Sequence, residues 1–451
     1  MPLVVDSEEA MKIVLEVVEG PHRGQEFTFD GHDNFIVGRA RCAHFRLPKK
    51  DPYFSRVHFM VEVNPPRCRL VDMGSTNGTR VNDRRVQTAD LSDGDVIRGG
   101  DTVLRVSVVD APPVSPPPLP SRPSALAPLP EQQKHAAPET TKTYEPKLPE
   151  VSEDSFAPEP APARSSIDAD EHLPDIPGYH IDRRLGQGGM GVVYLARRDR
   201  DGSTVALKTI RPAVGGTGRE VQRFLREAAI LGKLQHPGIV AFHEMGQAGE
   251  LLYFAMEYVP GTDAARLLAQ HAPLPIGRAV NLICQALEAL HFAHEQGFVH
   301  RDVKPANLLI TEHEGREICK LADFGLARVY HSTSLSGLTM MGDTGGTLPY
   351  MPPEQITNYR EAKPAADQYS TAATLYRLLT GHYPIDFGDA PKEQQLGRIL
   401  MDKPVPVQNR RADVPVPLAM AIERGLSNDP ESRYPSAGVF REVLLPFREP
   451  R

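Results

Sequence analysis

Short apolar runs broken by turn residues fill the first hundred positions. MKIVLEVV (11–18), EFTFDG (26–31), NFIVGRA (34–40), VHFMVEV (57–63), RCRLVDM (67–73) and DTVLRVSVV (101–109) are rich in β-branched and aromatic residues. Gly, Asn, Asp and Pro clusters separate them, and no helical period of useful length interrupts the series. Many short strands at this spacing predict a β-sandwich over 11–110. A second patterned region starts at Gly178. YHIDRRLG, VVYLARR, TVALKTI and LYFAMEYV read as strands, and AVNLICQALEALHFAHEQ and TAATLYRLLTG then read as amphipathic helices. Strands first and helices afterwards predict a β-rich lobe followed by a helical one over 178–447.

Composition adds a third segment. Residues 111–177 hold 17 of the 43 prolines and only Tyr144 and Phe156 as aromatics. So little apolar surface does not offset the entropy of ordering, so a disordered, locally extended Pro-rich linker is expected. PPPLP within it reads as a plain spacer, with an SH3-type docking site as the alternative. The linker has eleven acids against five bases, so it carries almost all of the chain's net charge of −7. The patterned regions are therefore nearly neutral, which argues against a nucleic-acid partner. Cys42, Cys68, Cys284 and Cys319 lie far apart without a CxxC pair, which argues against a zinc site or a disulfide framework. No apolar run reaches the length of a membrane span. Together these lead to the expectation of a cytoplasmic protein.

The C-terminal region carries an ordered series of motifs. Gly186, Gly188 and Gly191 stand in LGQGGMGVVY between two strands, where glycine lets backbone N–H groups approach a phosphate. A dinucleotide fingerprint would open a helix at this point, but here the strand continues. Lys208 follows in VALK and Glu227 in RFLREAAIL, on the apolar edge of a helix predicted over 219–234. HRDVKPAN (300–307), DFG (323–325) and PPE (352–354) complete the order. With these residues in place the region resembles a protein kinase of the Ser/Thr type, most similar to the bacterial eukaryotic-like (Hanks-type) kinases.

The resemblance implies ATP as phosphoryl donor with Mg2+, or Mn2+, as its metal. It implies that Lys208 contacts the α- and β-phosphates and pairs with Glu227, for which Glu220 is a competing choice. Asp302 would take the proton of the acceptor hydroxyl, and Lys304 would neutralise the transferring phosphoryl group. Asn307 and Asp323 would supply hard oxygen ligands to the metal. Adenine would lie between Val193 and Ala206 above and Leu309 below, with Met256 as gatekeeper and the backbones of Glu257 and Val259 on the purine. Thr339 and Thr344 are the expected activation-loop phosphorylation sites, with a phosphate there pairing Arg301. Thr347 would help recognise the acceptor. Three roles are structural: His300 packed under Phe324, Glu354 paired with Arg433, and Asp367 bracing the catalytic loop. Pro352 replaces the usual alanine and ADQYSTAA lacks the common Leu-Gly. Neither change removes a charge the chemistry needs.

The N-terminal region carries its own series: Gly38 and Arg39 in IVGRA, Ser55, Arg56 and His58 in DPYFSRVHF, Ser75 to Gly78 in VDMGSTNGTRVN, then DGD at 93–95. In order and spacing these resemble the FHA domain, which reads phosphothreonine with loops at one end of a sandwich. The resemblance implies that Arg39 and Ser55 hold the phosphate, Arg56 adds charge, and Thr76 and Asn77 grip the peptide backbone. His58, Gly74 and Gly78 would brace the loops. A sandwich that binds a partner without phosphate is the alternative.

The expected protein is thus multidomain: an all-β FHA sandwich and an α+β bilobal kinase fold, joined by the linker. It would phosphorylate Ser or Thr hydroxyls of protein substrates and of itself. Its partners would be phosphothreonine-containing proteins or its own phosphorylated segments, Thr140, Thr141 and Thr143 among them, and a transient homodimer is a further expectation. The contrary reading is a scaffold whose kinase fold binds nucleotide without turnover.

Overall fold

The computed structural model describes residues 11–48, 53–110, 173–188, 191–211, 232–324, 347–358 and 362–449. Residues 11–110 form two sheets packed face to face. The first, in spatial order, contains Glu26–Phe29, Met11–Glu19, Thr102–Asp110, Val96–Gly99, Thr79–Val81 and Arg84–Val86. The second contains Phe45–Arg46, Asp33–Gly38, Phe59–Asn64, Arg67–Asp72 and Thr88–Leu91. Period-two burial explains the packing. Ile13, Leu15 and Val17 of the first strand are fully buried between half-buried neighbours, and they meet Phe59, Val61 and Val63 of the other sheet in one core. Three of the turn-linked strands, Thr79–Val81, Arg84–Val86 and Thr88–Leu91, are short and mostly polar. Their pattern alone did not predict them.

The strand Phe59–Asn64 departs from alternation, because all six residues are buried. Its odd positions face the sandwich core, while Met60 joins a second apolar cluster together with residues of the helical lobe. A sheet covered on both faces reads as a continuous apolar run, as FMV (59–61) does here.

The β-rich lobe is an antiparallel sheet in the order Tyr179–Gly188, Gly191–Arg198, Thr204–Ile210, Leu251–Glu257 and Phe242–Ala248. Its core includes Tyr194, Leu207 and Ala255. Ile176, which composition assigns to the linker, is 1% exposed in this core and bridges to Tyr179. A single apolar residue beside prolines gives no periodicity, so composition could not separate it from the linker. The helix expected over 219–234 lies mostly outside the described residues.

The helical lobe contains α1 (Ala264–His271), α2 (Ile276–Glu295), α3 (Pro353–Thr357), α4 (Pro364–Thr380), α5 (Lys392–Met401), α6 (Val407–Arg410), α7 (Val416–Gly425) and α8 (Ala437–Leu444). Asp263 caps α1 through a hydrogen bond from Arg266 N at 2.9 Å, and Gly381 closes α4 in the left-handed conformation at φ 72°. α2 and α4 form the centre of the lobe, with Leu287, Leu290, Tyr369 and Leu375 in one cluster. A hairpin of Leu308–His313 and Arg316–Leu321 lies against α2. Its register pairs Leu308 with Leu321, and Ala322 N donates to Asn307 O at 2.9 Å. That pairing is what brings Asn307 and Asp323, sixteen positions apart in sequence, to one end of the hairpin.

Candidate functional site

The cleft between the two lobes gathers the charged residues of the HRD and DFG motifs. Asp302 Oδ2 lies 3.0 Å from Lys304 Nζ and accepts from Asn307 Nδ2 at 3.1 Å. Asn307 Nδ2 also donates to Asp302 O at 2.7 Å, which closes the loop on itself. Asp302 Oδ1 is buried and has no hydrogen-bond partner among the described residues. Lys304 Nζ also donates to Thr347 Oγ1 at 2.7 Å, so the acceptor-loop threonine is tied to the catalytic loop.

Lys208 is 4% exposed, and its Nζ lies 2.8 Å from Asp323 Oδ1. Burial works against the charge on Asp323. The Lys208 ammonium outweighs it, with Lys304 and His300 adding to the effect, and holds the carboxyl below its usual range. Glu227, the expected partner of Lys208, lies outside the described residues, as do Glu220, Thr339 and Thr344. Two residues of the site have left-handed backbones without being glycine: Arg301 at φ 69° and Asp323 at φ 61°. Such conformations cost on the order of 1–3 kcal/mol each and persist only where the surroundings enforce them.

The enforcement comes from behind. Asp367, on α4, is fully buried and accepts from His300 N at 2.8 Å, Arg301 N at 2.7 Å and His294 Nε2 at 2.7 Å. Its desolvation is outweighed first by the His294 hydrogen bond, then by charge and by the His300 N–H, so its carboxyl sits below its usual range. His300 packs edge-on to Phe324 with ring centroids 4.5 Å apart, and its Nε2 lies 2.9 Å from Ala322 O. Arg433 grips Glu354 in a fork at 2.5 and 2.9 Å and is itself buried. His294 was not singled out from the sequence. A lone histidine near a helix end gives no signal until the fold places it against Asp367.

Around the expected adenine position, Val193, Ala206, Val259 and Leu309 are half-buried. Met256 is paired in register with Ala206. Glu257 N donates to Ala241 O at 2.8 Å, which leaves its carbonyl as the main-chain group for a purine. The Glu257 side chain is held by Lys320 at 2.6 Å. Gly186 and Gly188 end one strand of the glycine turn in open space, and a Cβ on Gly191 would lie 1.9 Å from Thr209 O, at φ 137°. Only glycine fits there.

The second candidate site lies at one end of the sandwich. Ser55 Oγ accepts from Thr76 N at 2.9 Å and lies 3.3 Å from Thr76 Oγ1. Asn77 Nδ2 donates to Tyr53 O at 2.9 Å, so its amide oxygen is the end left for a peptide. Arg39 is half-buried and Arg56 exposed. A Cβ on Gly38 would lie 2.3 Å from Arg56 O, so glycine lets these two arginine-bearing segments touch. Fully buried His58 accepts from Ser55 N at 3.1 Å through Nδ1, and its Nε2 lies 3.4 Å from Gly78 O. Asp72 accepts from Gly74 N at 3.0 Å, Ser75 N at 2.8 Å, Ser75 Oγ at 2.5 Å and Thr79 Oγ1 at 2.6 Å. Asp72 was missed in the sequence, although an aspartate just before GSTNGT is an Asx-turn signal. The DGD acids hold neighbouring turns: Asp93 accepts from Val108 N and Asp95 from Ser92 N.

Known proteins match both regions. The protein kinase domain family model matches residues 179–442, and the FHA domain model matches residues 35–100. Serine/threonine-protein kinase PknF of Mycobacterium tuberculosis is 39% identical over 271 residues, covering 59% of this chain and 56% of its own length. PknB of Mycolicibacterium smegmatis is 36% identical over 283 residues, covering 62% of this chain and 44% of its own. The chain spans about half the length of the curated relatives it matches. Among solved structures, the kinase domain of M. tuberculosis PknI is similar with a TM-score of 0.47 and 29% identity, covering 60% of this chain and 97% of that one. Rad53 1-466 in complex with AMP-PNP has a TM-score of 0.48 and 22% identity, covering 95% of this chain and 98% of that one. With more than half of its length matched, the chain belongs to the protein kinase family, and it carries an FHA domain ahead of the kinase domain.

Proposed function

We propose that the chain transfers the γ-phosphoryl group of ATP to Ser or Thr hydroxyls of proteins, itself included, and that its FHA loops bind phosphothreonine. One observation carries the kinase reading: the Asp302 carboxylate has one oxygen fixed by Lys304 and Asn307, while the other is buried and unpartnered among the described residues. A base held this way can accept the hydroxyl proton as that oxygen forms its bond to phosphorus and the bond to the ADP oxygen breaks. Lys304, which contacts both Asp302 and Thr347, would balance charge on the transferring group. Lys208 would contact the α- and β-phosphates.

Asn307 and Asp323 suit Mg2+. Mg2+ takes hard oxygen ligands and is usually held by one or two protein groups together with substrate phosphates. Here the Asn307 amide nitrogen is committed to Asp302, so its oxygen is the available end. When bound, the ion would neutralise phosphate charge. Val193, Ala206 and Leu309, with the Glu257 and Val259 backbones, would hold adenine. In the FHA domain, Arg39, Ser55 and Arg56 would hold the phosphate, and Thr76 and Asn77 would grip the peptide backbone. Thr339 and Thr344 remain the proposed phosphorylation sites. The reading also places the chain in the cytoplasm. It is supported by Cys68, Cys284 and Cys319, which are buried as free thiols, as in a reducing compartment. Among the described residues no helix is long and apolar enough to cross a membrane.

Incubation with Mg2+ and labelled ATP tests the proposal. Wild type is expected to label itself and a basic protein substrate, and Asp302→Asn to fall by about 10²–10⁴-fold. Wild type that takes up no label would overturn it.

A further inference from the structure

The outer face of the second sandwich sheet is covered. In a sandwich the face away from the core ordinarily meets water. Here Ile36, Met60 and Val71, on that outer face, are each 0% exposed. They pack in one cluster with Leu348, Ile356 and Ile399 of the helical lobe. Across the same face Asn34 Nδ2 donates to Ile356 O at 3.2 Å. Gly397, inside α5, lies so near the sandwich that a Cβ would be 2.8 Å from Met73 O and 3.9 Å from Met73 Cβ. Glycine weakens a helix interior, and this close approach gives it a reason to be there.

The contact reaches the arginine loops. Arg39, Arg41, Arg46 and Arg56 line an open cavity of about 570 Å³, and Leu400 and Met401, the last residues of α5, form another part of its wall. A cationic wall for phosphate and an apolar wall from a different domain thus face the same space.

We propose that the kinase lobe completes the FHA phosphopeptide site. The ligand is a phosphothreonine peptide with an apolar side chain beside the phosphothreonine. Its phosphate rests on Arg39 and Arg56, and the apolar side chain rests on Leu400 and Met401. This deepens the phosphothreonine reading above and rests on it. A ligand that binds the docked arrangement better than the undocked one shifts the population toward docking. Docking in turn bears on the chemistry through two adjacent residues: Leu348 is buried in the interdomain cluster, while Thr347 accepts from Lys304.

The full chain can be undocked at one point. A side chain on Gly397 meets the Met73 carbonyl, so Gly397→Leu pushes the sandwich away while favouring the helix that carries it. The probes are two fluorescein-labelled phosphothreonine peptides, one with leucine and one with glycine on both sides of the phosphothreonine. Small-angle scattering is expected to show a larger radius of gyration for Gly397→Leu than for wild type. Wild type is expected to bind the leucine peptide on the order of tenfold tighter than Gly397→Leu, with little difference for the glycine peptide. An unchanged radius of gyration, or equal affinities of wild type and Gly397→Leu for the leucine peptide, would overturn the proposal alone. If wild type binds neither phosphopeptide, the phosphothreonine reading falls and takes the proposal with it.

Discussion

Asp367 in the kinase domain and Asp72 in the FHA domain each hold a working loop from behind, yet they grip different things. Asp367 is fully buried and accepts two main-chain N–H groups and one imidazole. Asp72 is slightly exposed and accepts two main-chain N–H groups and two side-chain hydroxyls. The loops differ in the same sense. The FHA loop turns at Gly74 and Gly78, both at φ 80°, where glycine adopts the conformation without strain. The kinase site turns at Arg301 and Asp323, which are strained there but carry side chains that glycine lacks. A site that must carry out a reaction keeps its charged groups where they are needed and is held in place by rigid acceptors. A site that binds and releases a peptide turns on glycine and keeps much of its loop exposed.

The largest effect is expected at Asp367. Each of its oxygens faces a main-chain N–H, of His300 or of Arg301, which cannot accept, so Asp367→Asn would set an amide N–H against another N–H. Loss of stability by about 3–5 kcal/mol in urea unfolding is expected, with phosphoryl transfer falling on the order of 10²-fold in the protein that remains folded. The same residue predicts acid sensitivity. Its carboxyl lies below the usual value in the folded state. The stability it contributes is therefore present above pH of about 4 and lost as pH falls through the lowered value. Wild type should lose stability along that descent more steeply than Asp367→Asn, which has no carboxyl to protonate. Parallel curves would show that Asp367 is not the group responsible.

A smaller effect is expected where the FHA domain meets its ligand. Arg39→Ala removes a charged donor from the rim of the loops without touching the sandwich core. Hydrogen bonds to charged groups contribute about 1.5–3 kcal/mol, so a phosphothreonine peptide should bind roughly 10- to 100-fold more weakly by anisotropy, with urea stability changed far less than in Asp367→Asn. Unchanged affinity would favour a sandwich that binds its partner without phosphate.

The comparison also explains what the sequence could carry. Asp302, Lys304, Asn307 and Asp323 were legible because their spacing within two motifs is fixed by a loop and a hairpin. Ser55, Thr76 and His58 were legible for the same reason, since each lies on a short loop between strands. His294 was not, because its partner Asp367 is 73 positions away and reached only through the packing of α2 on α4. The covered sheet face was half legible. The run FMV in the strand Phe59–Asn64 puts an apolar residue, Met60, on the face away from the core, but nothing local names the covering residues, Leu348 and Ile356, about 300 positions on. Gly397 reads as an ordinary helix defect until the Met73 carbonyl is seen beside it.

The sharpest test of the two braces is the same substitution at the weaker one. In Asp72→Asn the amide oxygen can keep the N–H groups of Gly74 and Ser75. The amide nitrogen then faces Ser75 Oγ and Thr79 Oγ1, which are hydroxyls. A hydroxyl donates or accepts by rotating about its C–O bond, so both can turn from donating to the carboxylate to accepting from the amide. No buried donor is left facing another donor, and the expected loss is about 1 kcal/mol, with phosphopeptide affinity reduced by less than in Arg39→Ala. The ratio of the two Asp→Asn effects is therefore set by the chemistry of the donors rather than by burial alone. A loss at Asp72 as large as that at Asp367 would mean that the hydroxyls are not free to turn, and that the FHA loop is as rigidly specified as the catalytic one.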